Sequence, residues 1–190
     1  MTDSNTACFQ FCTFFSLLNL GMTVVFGYHQ PSTAFINGVN SPFYTLITTH
    51  FTHHNHLHLF GNVLAMWLLL ILFPSKTNTL CCAFIVCISA VAIYVLLTDI
   101  QSFLGFSALL YCIPGIFLFN SIVHKKYTPA ITVLMIFFIY LYMIVPMSVD
   151  KNTMWIPMTH AHILGFISGF MAAFLMSQLQ LKHIQMTTKI

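Results

Sequence analysis

The stretch HFTHHNHLHLFGN, from His50 to Asn62, places five histidines ahead of a long apolar run. Imidazole binds first-row metals, accepts protons near neutral pH and donates hydrogen bonds. Three chemistries are therefore open: a metal site, a catalytic centre and a merely polar loop. Two residues far along the chain bear on the choice. Ser107 lies in the stretch GFSA, and His162 lies in the stretch AHILGFISG. A hydroxyl, an imidazole and the Asn62 amide can work together only if something holds them at one place.

Composition shows what the holding elements must be. The chain has 190 residues, 58% of them hydrophobic and only 5% charged, with a mean hydropathy of +0.89. That describes a polytopic membrane protein and excludes a soluble domain of this length. A membrane-crossing helix needs about 20 mostly apolar residues. Six stretches qualify: Ala7 to Phe26, Leu57 to Phe73, Leu80 to Thr98, Phe103 to Val123, Thr128 to Val145 and Ala161 to Leu179. The expectation is an all-α membrane protein, a bundle of six transmembrane helices in a single domain over residues 1–190. The opening MTDSNTACFQFCTFF has neither a positive region before its apolar run nor a small-residue cleavage site after it. It reads as a retained first helix. Cys8, Cys12, Cys81, Cys82, Cys87 and Cys112 all fall in apolar segments, where cysteine acts as a small hydrophobe.

Short positively charged loops stay in the cytoplasm. Lys76, Lys125, Lys126, Lys182 and Lys189 fall after even-numbered helices, and only Lys151, beside Asp150, falls on the other side. Both termini are therefore expected in the cytoplasm, and residues 29–56, 99–102 and 146–160 outside; the expected location is a bacterial inner membrane. The net charge of +3 follows from this topology and calls for no nucleic acid partner. Helices 2, 4 and 6 then run inward from the outer face, with His58, Asn62, Ser107 and His162 near their outer ends. At ~1.5 Å of rise per residue, that level lies on the order of 5 to 10 Å below the outer interface. Polar groups there need a water-accessible cavity rather than lipid.

Spacing adds to this arrangement. His58 and Asn62 are four apart, as are Ser107 and Tyr111, so each pair shares a helical face. His162, Gly165 and Gly169 also share a face. Glycines at that spacing allow two membrane helices to approach closely, which is what a histidine needs to hydrogen-bond a serine on another helix.

These positions resemble the signature of the rhomboid intramembrane serine proteases. That family has a His, four residues, a His, three residues and an Asn at the start of its second core helix; here these are His53, His58 and Asn62. Its Gly-x-Ser-Gly motif opening the fourth helix is similar to Gly105 to Ala108. Its Ala-His-x-x-Gly-x-x-x-Gly pattern on the sixth helix is matched by Ala161, His162, Gly165 and Gly169. Tyr111 matches the aromatic residue four positions after the serine, which stacks near the base in relatives. The order of the motifs and their helices agree over an expected core of residues 44–179.

The resemblance implies a serine endopeptidase that cuts membrane-anchored protein substrates within the lipid bilayer, near the outer interface, with no cofactor and no metal. Serine hydroxyl is a poor nucleophile until a neighbouring base takes its proton, and His162 suits that work at neutral pH. The implied machinery is a dyad of Ser107 and His162. Asn62, His58 and the Ser107 backbone N–H serve as oxyanion donors, with His53, Gly105, Tyr111, Gly165 and Gly169 in support. The only acids are Asp3, Asp99 and Asp150, none in helices 2, 4 or 6, so a dyad is also what the inventory allows. The short length and histidine-rich second helix are similar to the rhombosortase-like subgroup, which processes exported proteins bearing a glycine-rich carboxy-terminal sorting segment. The chain departs from the family at Ala108, where Gly is usual. It departs again at Tyr44 and Thr45, where a Trp-Arg pair is common in the first outer loop.

Two other readings stay open on the residues alone. His50, His53 and His54 form a His-x-x-His-His box of the kind used by membrane di-iron desaturases, with His160 and His162 as further ligands. That reading is a di-iron oxidase or a metal transporter. Alternatively, a catalytically silent rhomboid-like protein would hold a partner helix without cutting it. His54 and His56 read individually as interfacial polar residues, and His29, His124 and His183 as solvated loop or tail residues.

Overall fold

The structure is a computed structural model that describes residues 3–27, 35–36, 42–53, 55–98, 102–103, 105–139 and 159–187. Its helices are α1 (Asp3–Phe26), α2 (Thr45–Thr48), α3 (His56–Leu72), α4 (Thr77–Leu97), α5 (Ser107–Leu110), α6 (Cys112–Val123), α7 (Tyr127–Ile139) and α8 (Thr159–Thr187). A 3-10 turn, Thr49–Phe51, follows α2. Two short strands, β1 (Phe35–Ile36) and β2 (Ser102–Phe103), pair antiparallel and join the first loop to the segment ahead of Ser107. The architecture is an all-α membrane bundle. His29, His54, Asp99, Asp150, Lys151, Lys189 and the 140–145 end of the expected fifth span lie outside the described residues.

Local chemistry accounts for where the helices start and stop. α1 ends at Gly27, whose φ of +74 suits a residue without a Cβ, and its N–H donates to the Thr23 carbonyl. α3 starts because Asn55 caps it: the Asn55 Oδ1 accepts the His58 N–H at 2.9 Å. Pro74 follows its end, where no helix can continue. Pro114, lacking an N–H, leaves the Leu110 carbonyl without its usual partner, and α5 gives way to α6 at Tyr111, which itself keeps helical dihedrals. Pro129 falls in the first turn of α7, where the missing donor costs nothing.

Among the described residues, three helices are long and apolar enough to cross a membrane: Thr6–Phe26, Thr77–Leu97 and Thr159–Leu181. Ser107–Val123 and Tyr127–Ile139 are shorter apolar helices, and α3 forms a bent pair with Thr45–Phe51 at 82°. Large apolar side chains such as Leu68, Ile71, Ile93, Leu97 and Met135 are exposed on the outside, while Thr49, His50, His53, Asn62, His162 and Ser168 are buried. Lipid demands that distribution, because an unsatisfied polar group facing hydrocarbon costs several kcal/mol. α8 packs chiefly against α6 and α4.

Two boundaries differ from the sequence expectation. Phe103 belongs to β2, and the fourth span starts at Ser107, because Gly105 turns the chain there. Residues 45–53, expected in an exposed outer loop, are folded into the bundle, with Thr45, Leu46, Thr49, His50, Phe51, Thr52 and His53 all buried. Aromatic packing holds them in. The Phe51 ring lies 6.3 Å from Phe15 of α1 and 6.0 Å from Phe106. Thr45 donates its hydroxyl to the Pro42 carbonyl at 2.6 Å.

Candidate active site

Ser107 is the first residue of α5, so its backbone N–H is among the donors that a helix leaves without an internal partner. Phe106 anchors the turn beneath it. That ring is 1% exposed and lies 5.7 Å from Phe84, 5.9 Å from Phe15 and 6.0 Å from Phe51. Such pairs add to the gain from burying a large apolar side chain. On the other side, Gly105 adopts φ +117, open in practice only to glycine, and donates its N–H to the Thr49 carbonyl at 2.9 Å. Anchor and tether together fix where the hydroxyl stands.

α8 brings the imidazole to it. A Cβ added at Gly165 would collide with the Ala108 carbonyl, and one at Gly169 with the Cys112 carbonyl. The approach is reciprocal, since a Cβ at Gly115 of α6 would collide with the Phe166 carbonyl. At that separation the Ser107 Oγ lies 2.9 Å from the His162 Nε2, within the hydrogen-bond range expected of a nucleophile and its base. Tyr111 covers the imidazole, with centroids 4.6 Å apart and planes 31° apart.

α3 supplies the third side. A methyl group placed on Gly105 would meet the His58 Cε1 at 2.9 Å and Nε2 at 3.2 Å, and would stand 3.9 Å from the Ser107 Oγ. His58 and the hydroxyl therefore flank one small space that only glycine leaves open. His53 is fully buried behind it, edge-on to His58 at 5.2 Å and 69°. Asn62, one turn further along α3, is buried and lines a cavity of about 340 Å³ together with Ser107. Its Nδ2 has no hydrogen-bond partner among the described residues. A buried donor without an acceptor costs about 1–3 kcal/mol, and an oxyanion in the cavity is the kind of group that would satisfy it. The rest of the cavity is apolar, lined by Leu69 and Phe73 of α3 and by Val133, Ile136 and Phe137 of α7.

His56 and His124 are exposed, and His160 tilts over Tyr94 of α4 at 5.4 Å. Among the described residues, no three His, Cys, Asp or Glu side chains gather where they could hold one ion. All six cysteines are free thiols. Two residues at the site went unremarked in the sequence. Gly115 continues the four-residue spacing of Ser107 and Tyr111, a signal that was legible. Phe137 is one phenylalanine in an apolar run, and nothing local distinguishes it.

Apolar helices surrounding a half-buried serine, two histidines and a buried asparagine define an integral membrane protein with its polar chemistry turned inward. A sequence profile of the Rhomboid domain matches residues 40–179, well over half of the chain. The chain belongs to the rhomboid family, whose members are in general intramembrane serine proteases. No curated protein and no solved structure gives a significant match.

Proposed function

We propose that the protein is an intramembrane serine endopeptidase acting through a Ser107/His162 dyad on membrane-anchored substrates. The observation that carries this reading is the 2.9 Å approach of the Ser107 Oγ to the His162 Nε2 at the wall of a mostly apolar cavity. In this role the His162 Nε2 carries the lone pair and Nδ1 the proton. As the Ser107 oxygen attacks the scissile carbonyl, Nε2 takes its proton, and negative charge moves to the carbonyl oxygen. The Asn62 amide, His58 and the Ser107 N–H are the donors for that charge. Collapse expels the amine, which receives the proton from His162 and leaves an ester on Ser107. Water, deprotonated by the same nitrogen, then releases the acid.

The apolar lining from α3 and α7 suits a segment arriving from the bilayer, and a regular helix must unwind there to expose a peptide carbonyl. A finer reading, processing of exported proteins with a glycine-rich carboxy-terminal segment, rests on the short chain and histidine-rich second helix. It predicts that removing such a segment from a substrate abolishes cleavage. The lysine distribution supports cytoplasmic termini in a bacterial inner membrane. Reporter fusions at residues 76–79 and 124–127 are expected to read as cytoplasmic, and an external signal at Lys125 would overturn that orientation.

The decisive experiment is covalent labelling of the membrane-inserted protein with a fluorophosphonate. Modification is expected at Ser107 and absent in Ser107→Ala. An intact, unlabelled wild-type protein would point instead to a rhomboid-like protein that binds a partner helix without cutting it.

A further inference from the structure

Four rings close a circuit around the candidate base. Tyr111 lies over His162, and it also meets Phe137 of α7 at 5.6 Å and 62°. Phe137 stacks on Phe166 at 4.3 Å and 17°. Phe166 stands one helical turn beyond His162 on α8, so the circuit returns to its starting point. Phe137 is the one member contributed by α7; it is buried, and it lines the cavity that contains Ser107 and Asn62.

An imidazole that serves as a base must be held in one orientation, and in serine proteases with a triad an acid does this. No Asp or Glu occurs in α3, α5 or α8. Stacking on Tyr111 restrains the ring plane instead, and Tyr111 stands at the junction of α5 and α6, its backbone held in helical geometry by its N–H to the Ser107 carbonyl and by the Gly115 N–H to its own carbonyl. From α7, the Phe137 edge contact bears on the Tyr111 ring on the side away from its own helix.

We infer that Phe137 is a positioning residue for His162: it holds Tyr111 against the imidazole from α7, and an apolar substrate segment in the cavity bears on the same ring. This rests on the serine protease reading. It makes the alignment of Ser107 with His162 depend on an aromatic side chain at position 137 rather than on apolar volume there.

The test uses the full-length protein in lipid, with Phe137→Leu, Phe137→Tyr and, as a control on the exposed side of α7, Met135→Leu. Phe166→Leu breaks the circuit at a second point should Phe137→Leu fold poorly. One readout is the rate of fluorophosphonate labelling of Ser107, and the other is the NMR signal of the His162 ring in histidine-labelled protein. Losing one or two ring pairs is expected to slow labelling by roughly three- to tenfold in Phe137→Leu and in Phe166→Leu. Phe137→Tyr and Met135→Leu should stay near wild type. The His162 signal should move in the two leucine variants at ring positions and hold in Phe137→Tyr. Wild-type labelling in Phe137→Leu, or equal slowing in Phe137→Leu and Phe137→Tyr, overturns the inference. If the wild type itself is not labelled, the protease reading fails, and the NMR readout decides the positioning role alone: an unmoved His162 signal in Phe137→Leu overturns it, and a moved one upholds it.

Discussion

Cleavage of a membrane-anchored substrate is expected to fall to background in Ser107→Ala and equally in His162→Ala, with the double variant no worse than either. The two groups share one hydrogen bond of 2.9 Å. A hydroxyl without its base and a base without its hydroxyl are equally idle, so their effects do not add. Losses on α3 should be smaller. Asn62→Ala or His58→Ala each removes one donor while others remain, which costs on the order of 10² to 10³ in rate. All four variants must be shown to reach the membrane in normal amounts, because buried polar groups also hold helices together. Normal cleavage by membrane-inserted Ser107→Ala would end the protease assignment for this chain.

Gly165→Ala is expected to lower turnover by about 10²-fold or more, although it adds one methyl group and touches no reacting atom. The methyl would collide with the Ala108 carbonyl and would stand 3.2 Å from the Tyr111 Cβ. Neither can yield cheaply, because Ala108 follows Ser107 directly and is fully buried. α8 must therefore move away from α5, taking His162 off Ser107, and a misplacement near 1 Å is enough for a loss of about 10²-fold. Overpacking should also destabilise the bundle by about 1–3 kcal/mol, visible as a lower melting temperature. Gly21→Ala is the matched control: a Cβ there meets nothing within 4 Å, and alanine is the better helix former. Unchanged turnover in Gly165→Ala would show that the close approach of α8 is not what sets the serine–histidine distance.

The sequence by itself determined the class of protein, because hydropathy is a local and additive property: nine charged side chains among 190 residues leave no soluble alternative. The order of the polar residues and their places near helix starts were also legible, since four-residue spacing puts side chains on one face whatever the helix packs against. Other features belong to the tertiary structure. The burial of residues 45–53 depends on Phe15 and Phe106, which lie some 36 residues before Phe51 and 55 after it. The helix start at Ser107 rather than Phe103 depends on Gly105, with its positive φ and its tether to Thr49. Phe106 and Phe137 have no local mark, because a ring contact is a property of two segments and each segment alone reads as apolar. The 2.9 Å between Ser107 and His162 is of the same kind. It comes from three glycines that allow backbone to meet backbone, and only when both helices are in place does the absence of a Cβ become a distance.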